Sequence, residues 1–521
     1  MKVPKIMRAT YARSLADVLH RRSDRAPRRR ATALLVSAVL VTACSGNGLD
    51  DAARSTTTTT DVIGRDRALP IASDSLGGWK APELEWAECT GERGFECATL
   101  TVPLDWDDVD GDTIDLALGR DQASGDRIGA LVTNPGGPGG SGLDFLFNQP
   151  FDETLSSRFD IVSWDPRGVG RSTAFDCERH VDDFLANDPD PDTDAEQEAI
   201  DEDAETVADD CATSSPGLAA NVGTDSVARD LEAIRMALGE DQLTYMGFSY
   251  GTLIGLRYLA LFPTTARAVV LDGVVDPTEG FTDWLTNQTI AIDASITRAF
   301  EACTTKSNCP VDDLAATYDE VQKEVERAPI PAGSGAELGP AELQTGAVYA
   351  SYEPSLWPDL AQALADAADG DGEGMLRMAQ GYYDFGGFAA YAAVECLDSP
   401  HPTGSEEYRT FANGLRKLSP RIGGSVANEL LPCAYWSTPP DPIVGPVSAE
   451  GSGPVLVLGN RGDAATPYAS SVKVAGMLAN GHLVSNDGEG HTSYGRSSCV
   501  DDAVHEYLID LTVPSKDPDC R

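Results

Sequence analysis

Basic side chains are scarce in this 521-residue chain. There are 39 Lys and Arg against 83 Asp and Glu, for a net charge of −44. The first 44 residues hold ten Lys/Arg and two Asp/Glu, so the remainder carries −52. A surface of that sign repels nucleic acid and anionic lipid headgroups, so no nucleic-acid partner is expected. It reads as solubility, or adaptation to a salty environment. Histidine is scarcer still: with six in the chain, chemistry that needs an imidazole has few places to sit. The cysteine spacings match no zinc signature, and no metal or cofactor is expected. The apolar run Ala31 to Thr42 is too short to span a bilayer, which takes about 20 residues. What remains, 41% apolar and 23% charged residues, is the composition of a soluble globular protein long enough for two domains.

The first 30 residues are polar and basic, with Arg21, Arg22, Arg25, Arg28, Arg29 and Arg30. Ala31 to Thr42 then suits the core of a signal peptide. Val41-Thr42-Ala43-Cys44 closes it and resembles a bacterial lipobox, in which the Cys becomes the lipidated first residue; an ordinary cleavage site with an incidental Cys is the alternative. Residues 1–44 are thus expected to be a lipoprotein signal peptide, with membrane contact through a lipid on Cys44 alone. Residues 45–75, with Ser55 and the Thr56–Thr60 run, read as a flexible tether. Ten cysteines follow Cys44, and an even number in an exported chain implies disulfides. Spacing does not fix their connectivity; nearest-neighbour pairing is the working expectation (89–97, 177–211, 303–309, 396–433, 499–520).

The chain is organised around Leu243-Thr244-Tyr245-Met246-Gly247-Phe248-Ser249-Tyr250-Gly251-Thr252. A short β-prone run enters Gly-x-Ser-x-Gly, and a helical run from Leu253 to Phe262 leaves it. That is the strand–nucleophile–helix pattern of an acyl-transfer serine, with the helix N-terminus facing the place where an oxyanion would form. Upstream, Ile128 to Thr133 reads as a buried strand that runs into Asn134-Pro135-Gly136-Gly137-Pro138-Gly139-Gly140-Ser141-Gly142. A phosphate loop would need Gly-Lys-Ser/Thr, and no Lys is present. An oxyanion loop fits instead, with the N–H groups of Gly137 and Tyr250 as donors. Phe159 to Trp164 is the next strand, and the charges of Asp165-Pro166-Arg167-Gly168-Val169-Gly170-Arg171-Ser172 are expected to brace loops.

Asp188 to Asp210 reads as a solvated acidic excursion held by a disulfide. Asp225 to Leu238 is an amphipathic helix, and Ala266 to Asp272 another strand. Strands alternating with helices argue for a mostly parallel α/β sheet. From Phe281 to Arg421 helical patterns dominate, as in a cap inserted over the sheet. The sheet resumes with Gly453 to Leu458, ahead of Gly459-Asn460-Arg461-Gly462-Asp463, and a last helix runs from Cys499 to Leu511. The expected organisation is a core over 76–280, a helical cap over 281–421 and the rest of the core over 422–521.

A triad on this scaffold needs Ser, Asp/Glu and His in that order, each on a loop after a strand. Ser249 and Asp463 fit, and His491 follows in a Gly-rich loop. His20 lies in the export signal, His180 precedes the Ser, His401 precedes the Asp, His482 opens a strand and His505 sits in a helix. The competing role for Asp463 is to cap the helix that begins at Thr466-Pro467.

Together these motifs resemble the exported actinobacterial tripeptidyl-aminopeptidase-like α/β-hydrolases, related to proline iminopeptidases. The matching pieces are Val102–Trp106, Gly136–Gly142, Asp165–Ser172, Gly247–Gly251, Asp463–Pro467 and Gly490-His491. Asn134-Pro135 stands where iminopeptidases usually carry a His. The resemblance implies an α/β-hydrolase fold with a helical cap and cleavage of a peptide substrate from a free N-terminus. Ser249 attacks, His491 transfers the proton and Asp463 orients it. An aminopeptidase must also hold an α-ammonium. Glu395 and Asp398, three apart and on one face if helical, are the candidates; a solvated acidic face is the plainer reading. Two other functions compete: a carboxylesterase or lipase on the same scaffold, and a lipid-anchored binding protein without catalysis, which the intact Ser249, Asp463 and His491 disfavour.

Overall fold

A computed structural model describes residues 76–149, 151–515 and 517–521. The expected signal peptide, Cys44 and the tether lie outside the described residues. The core is a ten-stranded sheet. In chain order its strands are β1 (Ala87–Glu88), β2 (Glu96–Pro103), β3 (Thr113–Asp121), β4 (Gly129–Asn134), β5 (Phe159–Trp164), β6 (Leu243–Phe248) and β7 (Ala266–Asp272). A separate hairpin, β8 (Ile330–Pro331) and β9 (Glu337–Leu338), precedes β10 (Val455–Gly462), β11 (Gly481–Glu489) and β12 (Asp519–Cys520). The spatial order is β1-β2-β3-β5-β4-β6-β7-β10-β11-β12. β1, β2 and β3 pair antiparallel, β3 joins β5 antiparallel, and every pairing from β5 to β12 is parallel. All six residues in each of β4, β5 and β6 are buried, as expected for parallel strands covered on both faces. The fold is that of an α/β-hydrolase.

Three local differences from the sequence reading have physical causes. The helix after Ser249, α4 (Tyr250–Leu261), starts three residues before the expected Leu253, so its first turn abuts the serine. β10 runs on through Asn460 to Gly462, although Gly459-Asn460-Arg461-Gly462 has loop-like composition. Its neighbour β11 continues beside it, pairing Asn460 with Asn486 and Gly462 with Glu489, and pairing overrides local propensity. The acidic excursion is in fact a 21-residue helix, α2 (Asp194–Ser214), with Ile200, Ala204, Val207, Ala208 and Cys211 buried on one side. Asp194, Glu198, Glu202, Glu205 and Asp209 are exposed, while Thr193 and Glu196 form a capping box at its start.

The other helices that position the site are α1 (Gly142–Asn148), α3 (Thr224–Ala237), and a helical insertion between β7 and β10. The insertion includes α5 (Phe281–Thr304), α6 (Leu314–Val325), α7 (Pro340–Tyr352), α8 (Trp357–Ala368), α9 (Glu373–Tyr383), α10 (Phe388–Asp398), α11 (Ser405–Leu418) and α12 (Gly423–Asn428). Helical structure therefore continues past Arg421, to a 3-10 turn at Leu431–Tyr435, before the chain rejoins the sheet at Val455. Five disulfides join Cys89–Cys97, Cys177–Cys211, Cys303–Cys309, Cys396–Cys433 and Cys499–Cys520. Such bonds belong to an oxidising compartment. Among the described residues no helix is long and apolar enough to cross a membrane.

The loop after β5 is locked by a fully buried ion pair. Arg167 Nε and Nη2 donate to Asp230 Oδ2 and Oδ1 at 2.7 and 2.6 Å, and neither side chain has any exposure. Trp106 Nε1 donates to the same carboxylate at 3.0 Å, and the remaining guanidinium protons meet the carbonyls of Pro103, Leu104 and Asn221. Removing one partner strands a buried charge. Asp230→Ala should therefore lose about 3–5 kcal/mol of stability in urea denaturation; an unchanged midpoint and slope would refute that account.

Candidate active site

Ser249 occupies the turn between β6 and α4 with φ 53° and ψ −126°, a conformation that costs a non-glycine residue about 1–3 kcal/mol. The turn closes because its flanks have no side chains. A Cβ on Gly247 would lie 2.3 Å from the Gly251 carbonyl oxygen, and one on Gly251 would lie 2.6 Å from the Asn134 oxygen. The Ser249 N–H donates to the Asp272 carbonyl at 2.9 Å, pinning the turn to the end of β7.

Asp463 and His491 meet at the ends of β10 and β11. His491 Nδ1 lies 2.9 and 3.0 Å from the two Asp463 carboxylate oxygens. Asp463, 4% exposed, also accepts from Ala465 N, Thr466 N, Thr466 Oγ1 and Thr492 N. It therefore closes its own turn and holds the imidazole, but it does not cap the next helix, which starts at Tyr468 with Pro467 at its N-cap and no side-chain cap. With Nδ1–H donating to the carboxylate, Nε2 keeps its lone pair. The ring sits over the residue after Asp272: a Cβ on Gly273 would lie 3.0 Å from His491 Cε1. Ser249 and His491 thus flank the same two residues. No described hydrogen bond joins Ser249 Oγ to the imidazole, and such contacts commonly tighten only with substrate bound.

Gly136 and Gly137, at φ 94° and 114°, bring the loop after β4 against the serine turn, with a Cβ on Gly136 only 2.8 Å from Tyr250 N. Asn134 Oδ1 accepts the Gly136 N–H at 2.9 Å. The N–H groups of Gly137 and Tyr250 meet no protein acceptor among the described hydrogen bonds. Gly137, Tyr250 and Ser249 line one cavity. Asp165 braces this loop from below, as expected of that charge cluster: Oδ1 accepts from Ser141 Oγ and Leu143 N, Oδ2 from Arg171 N.

Glu395 and Asp398 lie on α10 and line the same cavity, together with Phe281 and Trp284. Their states differ. Asp398 accepts from Thr224 N at 3.1 Å and Thr224 Oγ1 at 2.5 Å, so its carboxylate is engaged within the fold. Glu395 has no such partner among the described hydrogen bonds; burial, then repulsion from Asp398 and Glu429, pushes its carboxyl up to about 8. Burial likewise takes Asp398 to about 7.

Two acids of this region gave no signal in the sequence. Glu429 lies between α12 and the 3-10 turn, accepts from Tyr382 Oη at 3.2 Å and Tyr391 Oη at 3.5 Å, and is pushed by burial up to about 7. Asp272 is unexposed and accepts the N–H groups of Ser493 and Tyr494 at 2.8–3.0 Å. Burial, reinforced by the Asp463 charge, raises it to about 6 against those donors. Asp272 ends a strand, a position that carries catalytic groups on such sheets; Glu429 sits in no motif or period that could have marked it.

With the geometry in place, comparison with known proteins defines the class and then the family. Serine protease Hip1 of Mycobacterium tuberculosis is 34% identical over 473 residues, covering 84% of this chain and 91% of that protein. Carboxylesterase B of the same organism is 33% identical over 467 residues, covering 83% and 89%. Tripeptidyl aminopeptidase of Streptomyces lividans is 30% identical over 537 residues, covering 95% and 97%. A family model described as TAP-like protein matches residues 419–520. The protein is a serine hydrolase. More narrowly, the chain belongs to the tripeptidyl-aminopeptidase-like family of α/β-hydrolases.

The raised Glu429 carboxyl has a measurable consequence. Its folded value of about 7 exceeds the ordinary 4.5. The folded chain therefore binds the extra proton, and stability falls as pH rises from 4.5 through 7. Glu429→Gln removes that dependence. Relative to the parent, its Tm should rise between pH 5 and pH 8, by the equivalent of roughly 2 kcal/mol. A Tm difference equal at both pH values would show an unperturbed carboxyl.

Proposed function

We propose that this serine hydrolase is an exported aminopeptidase that releases short peptides or residues from free peptide N-termini. Ser249 attacks the scissile carbonyl while His491 takes its proton, and Asp463 holds the imidazole in the tautomer that leaves Nε2 free. The N–H groups of Gly137 and Tyr250 stabilise the oxyanion. His491 returns the proton to the leaving amine, and water then releases the acyl group from Ser249 by the same route in reverse.

One observation carries the choice of peptidase over a general hydrolase: a half-buried carboxyl, Glu395, opens into the cavity that Ser249 lines and has no cation against it among the described residues. A substrate ammonium supplies that cation, and the charge-assisted pair ionises Glu395 on binding. Asp398, held by Thr224, adds negative potential to the same wall. The tripeptidyl aminopeptidase relative supports the same substrate class. Carboxylesterase B, with the apolar Phe281 and Trp284 also lining the cavity, favours a second reading as an esterase.

A matched pair of reporters separates the two readings: a free-amine tripeptide amide and its N-acetylated twin, with a short-chain nitrophenyl ester as third substrate. The aminopeptidase cleaves only the free-amine peptide, and Ser249→Ala abolishes that cleavage. Glu395→Gln raises KM for this peptide about tenfold or more and leaves ester turnover within about twofold. Ester cleavage with no preference for the free amine would establish the esterase.

We also propose that the mature chain is anchored to the outer face of the cell membrane by a lipid on Cys44, with the five disulfides formed after export supporting the compartment. Cys44→Ser should move the protein from the membrane pellet to the soluble or secreted fraction. Equal pelleting of both forms would refute the anchor.

A further inference from the structure

The helical insertion does more than roof the cavity. It holds the loop that carries His491. The His491 backbone N–H donates to the Tyr352 carbonyl, at the C-terminus of α7, at 2.8 Å. The Tyr352 ring lies against the imidazole, with centroids 5.6 Å apart and planes tilted by 50°. The residue after next, Pro354, packs on Gly490 so closely that a Cβ there would lie 2.5 Å from Pro354 Cδ.

Two bidentate ion pairs flank this contact. Arg496 reaches Glu353 at 2.7 and 3.3 Å, and Arg298 of α5 reaches Glu489 at 2.7 and 2.8 Å. The Tyr352 ring is backed by Tyr382, whose hydroxyl Glu429 accepts.

We infer that Tyr352 is a positioning residue for His491: its carbonyl fixes the backbone and its ring fixes the plane of the imidazole. The inference rests on His491 acting as the base. Asp463 grips the imidazole at Nδ1, and a ring held at one atom can still tilt about that contact. The Tyr352 ring packed against the imidazole opposes that tilt and steadies Nε2. Errors of that kind are expensive, since a displacement of about 1 Å can lower a rate about 100-fold. The base is thus shared by two parts of the fold, its carboxylate partner from the sheet and its face and backbone contacts from the insertion.

The test compares the parent with Tyr352→Leu, Tyr352→Phe, Glu353→Gln and His491→Ala. Three readouts are taken: kcat and KM on the free-amine tripeptide amide, the same on a nitrophenyl ester, and the rate at which a fluorophosphonate labels Ser249. Tyr352→Leu should lower kcat about 10- to 100-fold on both substrates and slow labelling in proportion, with KM within about twofold. Tyr352→Phe keeps the ring and the carbonyl and should restore all three to within about twofold of the parent. Glu353→Gln, outside the cavity, should lower kcat about two- to fivefold by loosening the same contact.

A Tyr352→Leu effect confined to KM, or to the peptide alone, would make Tyr352 a substrate wall and overturn the inference. So would unchanged kcat. If Tyr352→Leu fails to fold by thermal melting, Glu353→Gln decides: a kcat equal to the parent's overturns the inference. A parent that labels no faster than His491→Ala would instead sink the underlying role of His491, a result distinct from either.

Discussion

The last residue of β7 is the joint on which the site depends. The carbonyl of Asp272 holds the Ser249 N–H, and its carboxylate holds the N–H groups of Ser493 and Tyr494, just beyond His491. The proposed nucleophile and base come from distant parts of the chain, yet each is fixed to one residue of a strand that lies between theirs. Parallel pairing makes this possible. β6, β7, β10 and β11 are consecutive neighbours, so their carboxyl ends gather Ser249, Asp272, Asp463 and His491 along one edge. The crowding of Asp272 and Asp463 in a desolvated layer is tolerated because backbone N–H groups surround both carboxylates, a stabilisation of charge that needs no cation.

Above that edge the electrostatics reverse. Below it, carboxylates are surrounded by donors; in the cavity wall Asp398 keeps the donors of Thr224, while Glu395 has none among the described hydrogen bonds. Glu395 in that wall, and Glu429 beside it on two tyrosine hydroxyls, are half-buried with no counter-ion among the described residues, and their carboxyls are accordingly raised. A protein that keeps ionisable groups in such a state accepts a loss of stability at neutral pH. The arrangement is consistent with the proposed substrate, because an incoming ammonium supplies the charge that the wall lacks. The Cys396–Cys433 disulfide, one residue from Glu395, ties α10 to the turn after Glu429 and keeps the two acids in one frame.

Much of this was legible in the sequence because it depends on local chemistry. The serine turn requires glycines two residues on either side, and Gly247 and Gly251 mark it wherever the chain goes. Buried parallel strands are continuous apolar runs, and β5, β6 and β7 lie where those runs predicted. Elimination among six histidines singles out His491 because the order of strands constrains which loop can face the serine. Reading failed where a neighbour decides the outcome. β10 extends through Gly459-Asn460-Arg461-Gly462 because β11 lies beside it, and the acidic stretch 188–210 hides a buried helical stripe among its carboxylates.

The sequence by itself determined the class of fold, marked Ser249, Asp463 and His491 as one candidate constellation, and showed acids on the inserted helices. Those are properties of residue type, spacing and order. Only the tertiary structure decided that Asp398 is engaged by Thr224 while Glu395 is left open to the cavity, that the Glu429 charge acts on Glu395, and that Tyr352 lies against His491. Each of those facts is a contact between segments tens to hundreds of residues apart. A carboxylate's charge state and a ring's orientation are set by what surrounds them in space, and the chain states its surroundings only once it has folded.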